Sequence, residues 1–185
     1  MFARTQRLLL RPAWAEDAGA LTQAIADERI VRNLARVPWP YLRRHADEFV
    51  GRERAENEAV LLIFLVGAPP RLIGGLGLHP TPDGDVELGY WLTRDSWEYG
   101  YATEAASALV NIARETLRLP SLIAGHFIDN PGSGRVLRKL GFQPTGHVAL
   151  RQSTARDAEV PFVEFVLELN RAGDDAEIEP CKVAA

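Results

Sequence analysis

The chain of 185 residues is 46% hydrophobic and 25% charged, and it carries a formal net charge of -4 with a sequence pI near 5.6. This length and composition predict one globular domain with a complete core. Because there is no overall positive field, we expect no broad affinity for nucleic acid or for anionic membranes. A single cysteine, Cys181, excludes an internal disulfide and favours a cytoplasmic location.

The longest apolar run, AVLLIFLVGA at residues 59–68, has about half the length of a membrane span. Such a run is typical of a buried strand. The N-terminus lacks a long hydrophobic region, so we expect no signal peptide. The four histidines are scattered along the chain, and their spacing predicts no metal site.

The first 58 residues are predicted to contain one strand and three helices. Residues 7–11 form the strand, which Pro12 stops. Helices are predicted over residues 15–27, 28–35 and 41–58. Helical spacing turns one set of apolar residues inward: Ala18, Leu21 and Ile25 in the first helix, and Leu42, Ala46 and Phe49 in the third.

From residue 60 onward, short apolar stretches separated by turn residues predict most of a sheet. The predicted strands are 60–66, 71–78, 85–92, 121–128, 145–151 and 160–169. Helices are predicted at 102–117 and at 131–140, where Gly141 supplies a left-handed cap. This order implies a mixed α/β fold with about seven strands and helices on both faces of the sheet.

The predicted domain covers residues 1–169. From about residue 170 the chain is acidic and poor in apolar residues. This composition predicts a mobile C-terminal tail over 170–185.

The segment before the helix at 102–117 has the character of an anion-binding loop. Gly100 and Ala102 are small, so backbone N–H groups can approach a ligand there. The first turn of a helix also offers unpaired N–H donors and the positive end of the helix dipole. A pyrophosphate suits this arrangement, although a small residue before a helix is common and indicates little by itself.

A second segment, from Asn130 to Phe142, has a simple structural interpretation. Asn130 or Ser133 caps a short helix, whose core face carries Val136, Leu137 and Leu140. This interpretation does not account for the spacing between this segment and the anion-binding loop.

Taken together, four motifs resemble the GNAT acyltransferase superfamily, and in particular its RimJ/RimL branch. They are W-x-x-G-Y-A-T-E-A from Trp97, N-x-x-S-x-x-V-L-x-x-L-G-F from Asn130, T-x-R-L-L-L-R-P from Thr5 and E-L-G-Y-W-L from Glu87. The resemblance covers roughly residues 4–169. It implies a GNAT-like twisted, mostly antiparallel sheet and acetyl-CoA as co-substrate.

The resemblance also implies which residues bind the cofactor. Backbone amides of residues 98–103 would hold the pyrophosphate, and the backbone of residues 91–93 would run beside the pantetheine arm. Asn130 would bond to that arm, and Arg138 or Arg135 would reach the ribose phosphate. The implied set is Trp91, Leu92, Thr93, Trp97, Glu98, Tyr99, Gly100, Tyr101, Ala102, Thr103, Asn130, Ser133 and Arg138.

Two residues are candidates for catalysis. In the predicted strand 85–92, Glu87 shares a face with Gly89 and Trp91, so its carboxylate can take a proton from the amine, through a water. The alternative is that Glu87 is a solvated or ion-paired strand residue. Many members of the superfamily use a tyrosine of the helix after Asn130 as the acid, but here that helix offers only the Ser133 hydroxyl, near the sulfur. Ser133 is equally well interpreted as a helix cap.

Two strand histidines, His79 and His126, are further candidates. Each can act as a base or line the acceptor site, but a lone strand histidine is more often a hydrogen-bonded core or surface residue.

The sequence leaves the acceptor open. The leading interpretation is an N-acetyltransferase that acts on a protein N-terminus or a small primary amine. The alternatives are an aminoglycoside or polyamine acetyltransferase, which needs many carboxylates, and a non-catalytic acyl-CoA sensor. Sheet edges and tryptophans would also permit a homodimer.

Overall fold

The computed structural model describes residues 1–54 and 58–169. The tail predicted from residue 170 lies outside these described residues. A single sheet of eight strands forms the centre of the fold: β1 (Ala3–Arg4), β2 (Leu8–Arg11), β3 (Ala59–Leu65), β4 (Arg71–Pro80), β5 (Val86–Leu92), β6 (Ser121–Phe127), β7 (Gln143–Ser153) and β8 (Ala158–Glu168). The spatial order is β1-β2-β3-β4-β5-β6-β8-β7. All seven predicted strands are present, and the short β1 is the eighth.

Neighbouring strands are antiparallel except at the centre, where β5 and β6 run parallel. Five helices cover the two faces in the described residues: α1 (Ala18–Ile25), α2 (Glu28–Val31), α3 (Arg43–Gly51), α4 (Tyr101–Glu115) and α5 (Pro131–Lys139). The mixed α/β fold with helices on both faces is therefore confirmed.

Two hydrophobic clusters hold the helices to the sheet. One packs α4 and α5 against one face, and the other packs α1, α2 and α3 against the opposite face. Strand alternation in β5 divides its residues between them, with Leu88 and Leu92 in the first cluster and Trp91 against the second. The predicted division of this strand is correct.

The third helix is shorter than its predicted range. The expectation was a helix over 41–58, whereas α3 begins at Arg43 and ends at Gly51, and Arg52 is extended. Glycine is a poor helix former, which is consistent with a helix that ends there. Leu42 is the N-cap residue and is 38% exposed, so its predicted inward position is wrong, and Tyr41 is buried instead.

The first two helices are also shorter than expected. A single 3₁₀ turn at Ala15–Asp17 precedes α1, and α2 has only four residues. In that turn the Asp17 carboxylate accepts two bonds from Arg11 and one from the Trp14 N–H. The predicted inward residues Ala18, Leu21 and Ile25 are all buried.

Candidate active site

A cleft opens in the middle of the sheet where β5 and β6 separate. Their parallel pairing is confined to Glu87 with Ile123 and Leu88 with Ala124. Beyond Leu88, the edge of β5 that faces β6 pairs with no strand in the described residues. The cleft is part of a cavity of about 1400 Å³ that also runs along α4, α5 and the helices α1 to α3.

Backbone hydrogen bonds show which residues of β5 face this cleft. The Thr81 N–H, in the turn after β4, donates to Asp85 O, and the Thr93 N–H donates to Ile73 O of β4. The backbone groups of Asp85 and Thr93 therefore face β4. Because the backbone groups of successive residues alternate in direction along a strand, the backbone of Trp91 also faces β4. The backbone groups of Tyr90 and Leu92 therefore point into the cleft, where the Trp97 indole N–H donates to Leu92 O at 3.0 Å.

The start of α4 closes one end of the cleft. Gly100 is its N-cap with a φ of +79°, a left-handed conformation that favours glycine. The N–H groups of the first turn, at Tyr101, Ala102 and Thr103, have no carbonyl partner within the helix. These three residues line the cavity together with Trp97, Glu98 and Gly100. The site therefore offers an anion the positive end of a 15-residue helix.

The N-terminal motif supports this helix start from outside the cavity. Oε1 of Glu104, in the first turn of α4, accepts from the Thr5 hydroxyl at 2.5 Å and from the Arg7 N–H at 2.9 Å. The Arg7 guanidinium also binds Glu104 and donates to the carbonyl of Tyr99 at 3.1 Å. These contacts explain why T-x-R occurs in the sequence together with the α4 motif.

Helix α5 forms the opposite wall. Asn130 is its N-cap, and its side-chain oxygen accepts from Ser133 N–H at 3.4 Å. Both residues also line the cavity, so capping and ligand contact are compatible. Gly141 has a φ of +93° directly after this helix, as the predicted left-handed cap requires.

Sequence reasoning missed Tyr90 as a site residue. Its hydroxyl lies 2.7 Å from Ser133 Oγ and 3.1 Å from Ser133 O. Burial raises the pKa of Tyr90 to about 12, against a smaller opposing effect of the Ser133 hydrogen bond. The alternation of β5 already directed this side chain toward the α4 and α5 face. No signal in the sequence indicates that Tyr90 contacts Ser133, which lies 43 positions away.

On the other face of the sheet, two paired glycines form the floor of the cavity. Gly77 of β4 lies opposite Gly89 of β5. On one side of this floor Trp91 lies beside Gly75, where an added Cβ atom would come 2.7 Å from the indole nitrogen. On the other side His79 and Glu87 are cross-strand partners. A substrate group at this floor would thus lie between an indole and two titratable side chains.

Arginines surround the Glu87 carboxylate. Oε1 accepts a hydrogen bond from Arg151, and Oε2 lies 3.7 Å from Arg36. Glu87 lines the cavity, and the ion-paired alternative describes its surroundings. The second carboxylate here is Glu58, which bonds to His79 and to Arg52.

Three residues of the implied cofactor set do not line the cavity, namely Thr93, Tyr99 and Arg138. The Thr93 hydroxyl bonds to Asp95 and Ser96, and Tyr99 is exposed and stacks on Tyr101. The Arg138 guanidinium lies over the Phe165 ring, and its assignment to the ribose phosphate stays a prediction. Arg135 and Lys139 of the same helix line the cavity instead.

His126 lines the cavity, but one of its two ring nitrogens is already engaged. Its Nδ1 is 2.8 Å from the carbonyl oxygen of Phe127, and the ring packs near Phe165.

Within residues 1–54 and 58–169, no cluster of three His, Cys, Asp or Glu side chains is arranged to bind a metal ion. No helix of that same part of the chain combines the length and hydropathy that crossing a bilayer requires.

Known proteins are similar to this chain in sequence and in fold. A family model described as an acetyltransferase (GNAT) domain matches residues 7–143. The chain is 28% identical over 146 residues to the uncharacterized N-acetyltransferase p20 of Bacillus licheniformis, across 77% of this chain and 82% of that protein.

Solved structures agree on the fold. A GNAT-family acetyltransferase from Bacillus anthracis superposes with a TM-score of 0.78 at 21% identity, over 92% of this chain and all of the other. The ribosomal L7/L12 alpha-N-protein acetyltransferase RimL, solved with coenzyme A, gives a TM-score of 0.74 at 17% identity, over 91% and 98% of the two chains.

The matching family model defines an acyl-CoA-dependent acetyltransferase, which uses acetyl-CoA as co-substrate. The chain belongs to the GNAT family, as its four sequence motifs indicated.

Proposed function

We propose that this enzyme transfers the acetyl group of acetyl-CoA to a primary amine, by direct attack of the amine on the thioester. One observation carries the proposal: a single cavity joins the N-terminus of α4, the cleft between β5 and β6, and the glycine floor beside Trp91. The segments that we propose for the anion, the pantetheine arm and the acceptor are thereby continuous. Acetyl-CoA supplies the acetyl group already activated as a thioester.

The residues of the cleft fit this co-substrate. We assign the pyrophosphate to the backbone amides between Glu98 and Thr103, because they combine free N–H donors with the helix dipole. The backbone groups of Tyr90 and the N–H of Leu92 are placed to bind the amides of the pantetheine arm, whereas Leu92 O already accepts from the Trp97 indole. Asn130 keeps its side-chain NH₂ for the same arm, since only its oxygen is used in capping. Arg135 and Lys139 are the cations of α5 that line the cavity, and we assign them to the phosphates.

Three groups are proposed to assist the chemistry. A backbone N–H of Tyr90 or Leu92 polarises the thioester carbonyl, as oxyanion donors do in acyl transfer. The Ser133 hydroxyl donates a hydrogen bond to the departing sulfur. A proton acceptor on the acceptor face is also needed; Glu87, acting through a water, is the candidate expected from the sequence, and the change Glu87→Gln tests it.

The charges at the acceptor end argue against a polycationic substrate. Arg52 and Arg54 both lie within 4 Å of Glu58, and Arg151 and Arg36 do so for Glu87. Carboxylates whose charge is neutralised by arginines attract an aminoglycoside or a polyamine only weakly. We therefore propose a protein N-terminus or a small amine as the acceptor.

Two measurements test this function. Calorimetry with coenzyme A tests the binding site, and release of free thiol from acetyl-CoA tests turnover with peptides, small amines, polyamines and aminoglycosides. We expect binding, and turnover with peptides or simple amines. Binding without turnover on any amine would support the acyl-CoA sensor, and turnover confined to polycations would support the aminoglycoside alternative.

A homodimer stays a prediction, which analytical ultracentrifugation checks.

A further inference from the structure

Glu58 and His79 form a hydrogen-bonded pair at the acceptor end of the cavity. Nδ1 of His79 lies 3.1 Å from Oε1 of Glu58. The Glu58 side chain is only 8% exposed and that of His79 is 27% exposed. No sequence pattern connects these two residues, which are 21 positions apart.

The charge state of Glu58 fixes the tautomer of His79. Burial opposes ionisation of Glu58, but the hydrogen bond to His79 and the guanidiniums of Arg52 and Arg54 outweigh it and lower the pKa of this carboxyl. An ionised carboxylate only accepts hydrogen bonds, so the proton between the two side chains belongs to Nδ1 of His79. In the neutral imidazole, Nε2 is then the atom with the free lone pair.

This free nitrogen faces the glycine floor. A Cβ atom added at Gly77 would lie 2.8 Å from Nε2, and one added at Gly89 would lie 3.9 Å from it. No residue in the described part of the chain forms a hydrogen bond with Nε2. Glycine at position 77 thus lets the imidazole lie close over the floor, and His79 lines the cavity with its side chain 27% exposed.

Glu87, on the neighbouring strand, is in the opposite situation. Its Oε1 accepts from Arg151, and its Oε2 lies close to Arg36. Removing a proton from an amine with this carboxylate would require it to share lone pairs that the two arginines already engage. On this face, His79 is the better placed of the two groups.

We infer that His79, oriented by Glu58, takes the proton from the acceptor amine. The inference rests on the proposed amine acetylation. The amine nitrogen forms a bond to the acetyl carbonyl carbon, the C–S bond breaks, and the thiolate leaves with the electron pair. The proton lost by nitrogen moves to Nε2, directly or through one water, and then to solvent. Glu58 is a positioning residue, because it acts only through the imidazole.

The charged groups around His79 keep it neutral. Burial is the largest effect and lowers the pKa of His79, and Arg36 acts in the same direction. Glu58 and Glu87 oppose this change without reversing it. Because the imidazole is neutral from about pH 6.5 upward, the proposed base is in its active form at neutral pH. The rate should then fall only on the acid side.

The first experiment needs no substrate. Nitrogen-15 NMR of the imidazole reports which ring nitrogen carries the proton. We expect the Nδ1–H tautomer in the wild-type protein, a midpoint of titration below the ordinary value, and loss of the single tautomer in Glu58→Gln. A neutral His79 with the proton on Nε2 would overturn the inference, whatever the activity.

The second experiment compares variants with the best amine from the panel. His79→Gln should lower kcat/KM by about 100-fold, the usual loss for a general base, and should leave only the acid limb that comes from protonation of the amine itself. Glu58→Gln should lower the rate less and move the limb that comes from His79. Coenzyme A binding should be unchanged in both. His147→Gln, at an exposed histidine of β7, is the matched control and should behave as wild type.

Added imidazole distinguishes a lost base from a damaged site. His79→Ala leaves a space above Gly77, and we expect imidazole to restore part of its rate. The inference fails if His79→Gln keeps the wild-type rate and acid limb while Glu87→Gln loses both. The wider proposal of amine acetylation fails separately, if the wild-type protein binds coenzyme A but acetylates no amine.

Discussion

The hydroxyl of Tyr90 lies 2.7 Å from Ser133 Oγ and joins strand β5 to helix α5 across the cleft. The superfamily resemblance implies a tyrosine on the helix itself, whereas here the phenol reaches the same helix from the strand. With its pKa raised by burial to about 12, Tyr90 stays protonated at all useful assay pH values and acts as a hydrogen-bonding group. It therefore fixes the position of the Ser133 hydroxyl.

Removing this hydroxyl should slow the reaction without weakening cofactor binding. Tyr90→Phe loses one neutral hydrogen bond, worth about 1 kcal/mol, so we expect kcat to fall about fivefold. Ser133→Ala should cause a similar or larger loss, and the two changes combined should cost less than their sum. Tyr99→Phe is the control, because Tyr99 is exposed and outside the cavity. Fully additive effects would contradict a coupled pair.

The left-handed Gly100 provides a test of the anion site. Gly100→Ala would strain the N-cap of α4 by about 1–2 kcal/mol, and it should weaken coenzyme A binding measured by calorimetry. Gly146→Ala is a matched control, since Gly146 also has a positive φ, of +86°, and an added Cβ there would contact nothing within 4 Å. Equal losses of affinity in both variants would show that the loop before α4 does not bind the anion.

A buried ion pair near the N-terminus should contribute to the stability of the fold. Arg11 binds both carboxylate oxygens of Asp17, at 2.6 and 2.7 Å, with its guanidinium between the rings of Trp14 and Phe64. Asp17→Asn leaves a buried guanidinium without its counter-ion, and we expect a loss of about 3 kcal/mol in urea unfolding. Asp47→Asn, in the exposed pair with Arg43, should cost under about 0.5 kcal/mol. Similar losses in both would contradict this difference.

The same carboxyl predicts a pH dependence of stability. Burial opposes ionisation of Asp17, but the hydrogen bonds from Arg11 and the Trp14 N–H outweigh it, so its pKa is lowered in the folded protein. Its contribution is therefore complete above the unfolded value of about 3.9 and is lost as the pH falls below it. Urea titrations between about pH 3 and 6 check this. Asp17→Asn should flatten the profile, and an unchanged slope would assign the acid sensitivity to other carboxyls.

Local features of this fold could be predicted from the sequence, whereas the long-range contacts could not. All seven expected strands, the two faces of β5 and the start of α4 follow from periodicity and turn residues, which act over a few positions. The predicted length of α3 was wrong because charged residues after Gly51 look helical on composition alone. The Glu58–His79 and Tyr90–Ser133 pairs depend on how distant strands and helices pack, and no local pattern encodes that packing.

The contacts of Thr5 and Arg7 with Glu104 have a practical consequence for work on this protein. Neither of these two residues lines the cavity, yet they hold the first turn of α4 in place. A variant trimmed before Leu8, or an affinity tag that disturbs this short stretch, is expected to bind coenzyme A less tightly. Purification handles are therefore better attached at the other end of the chain.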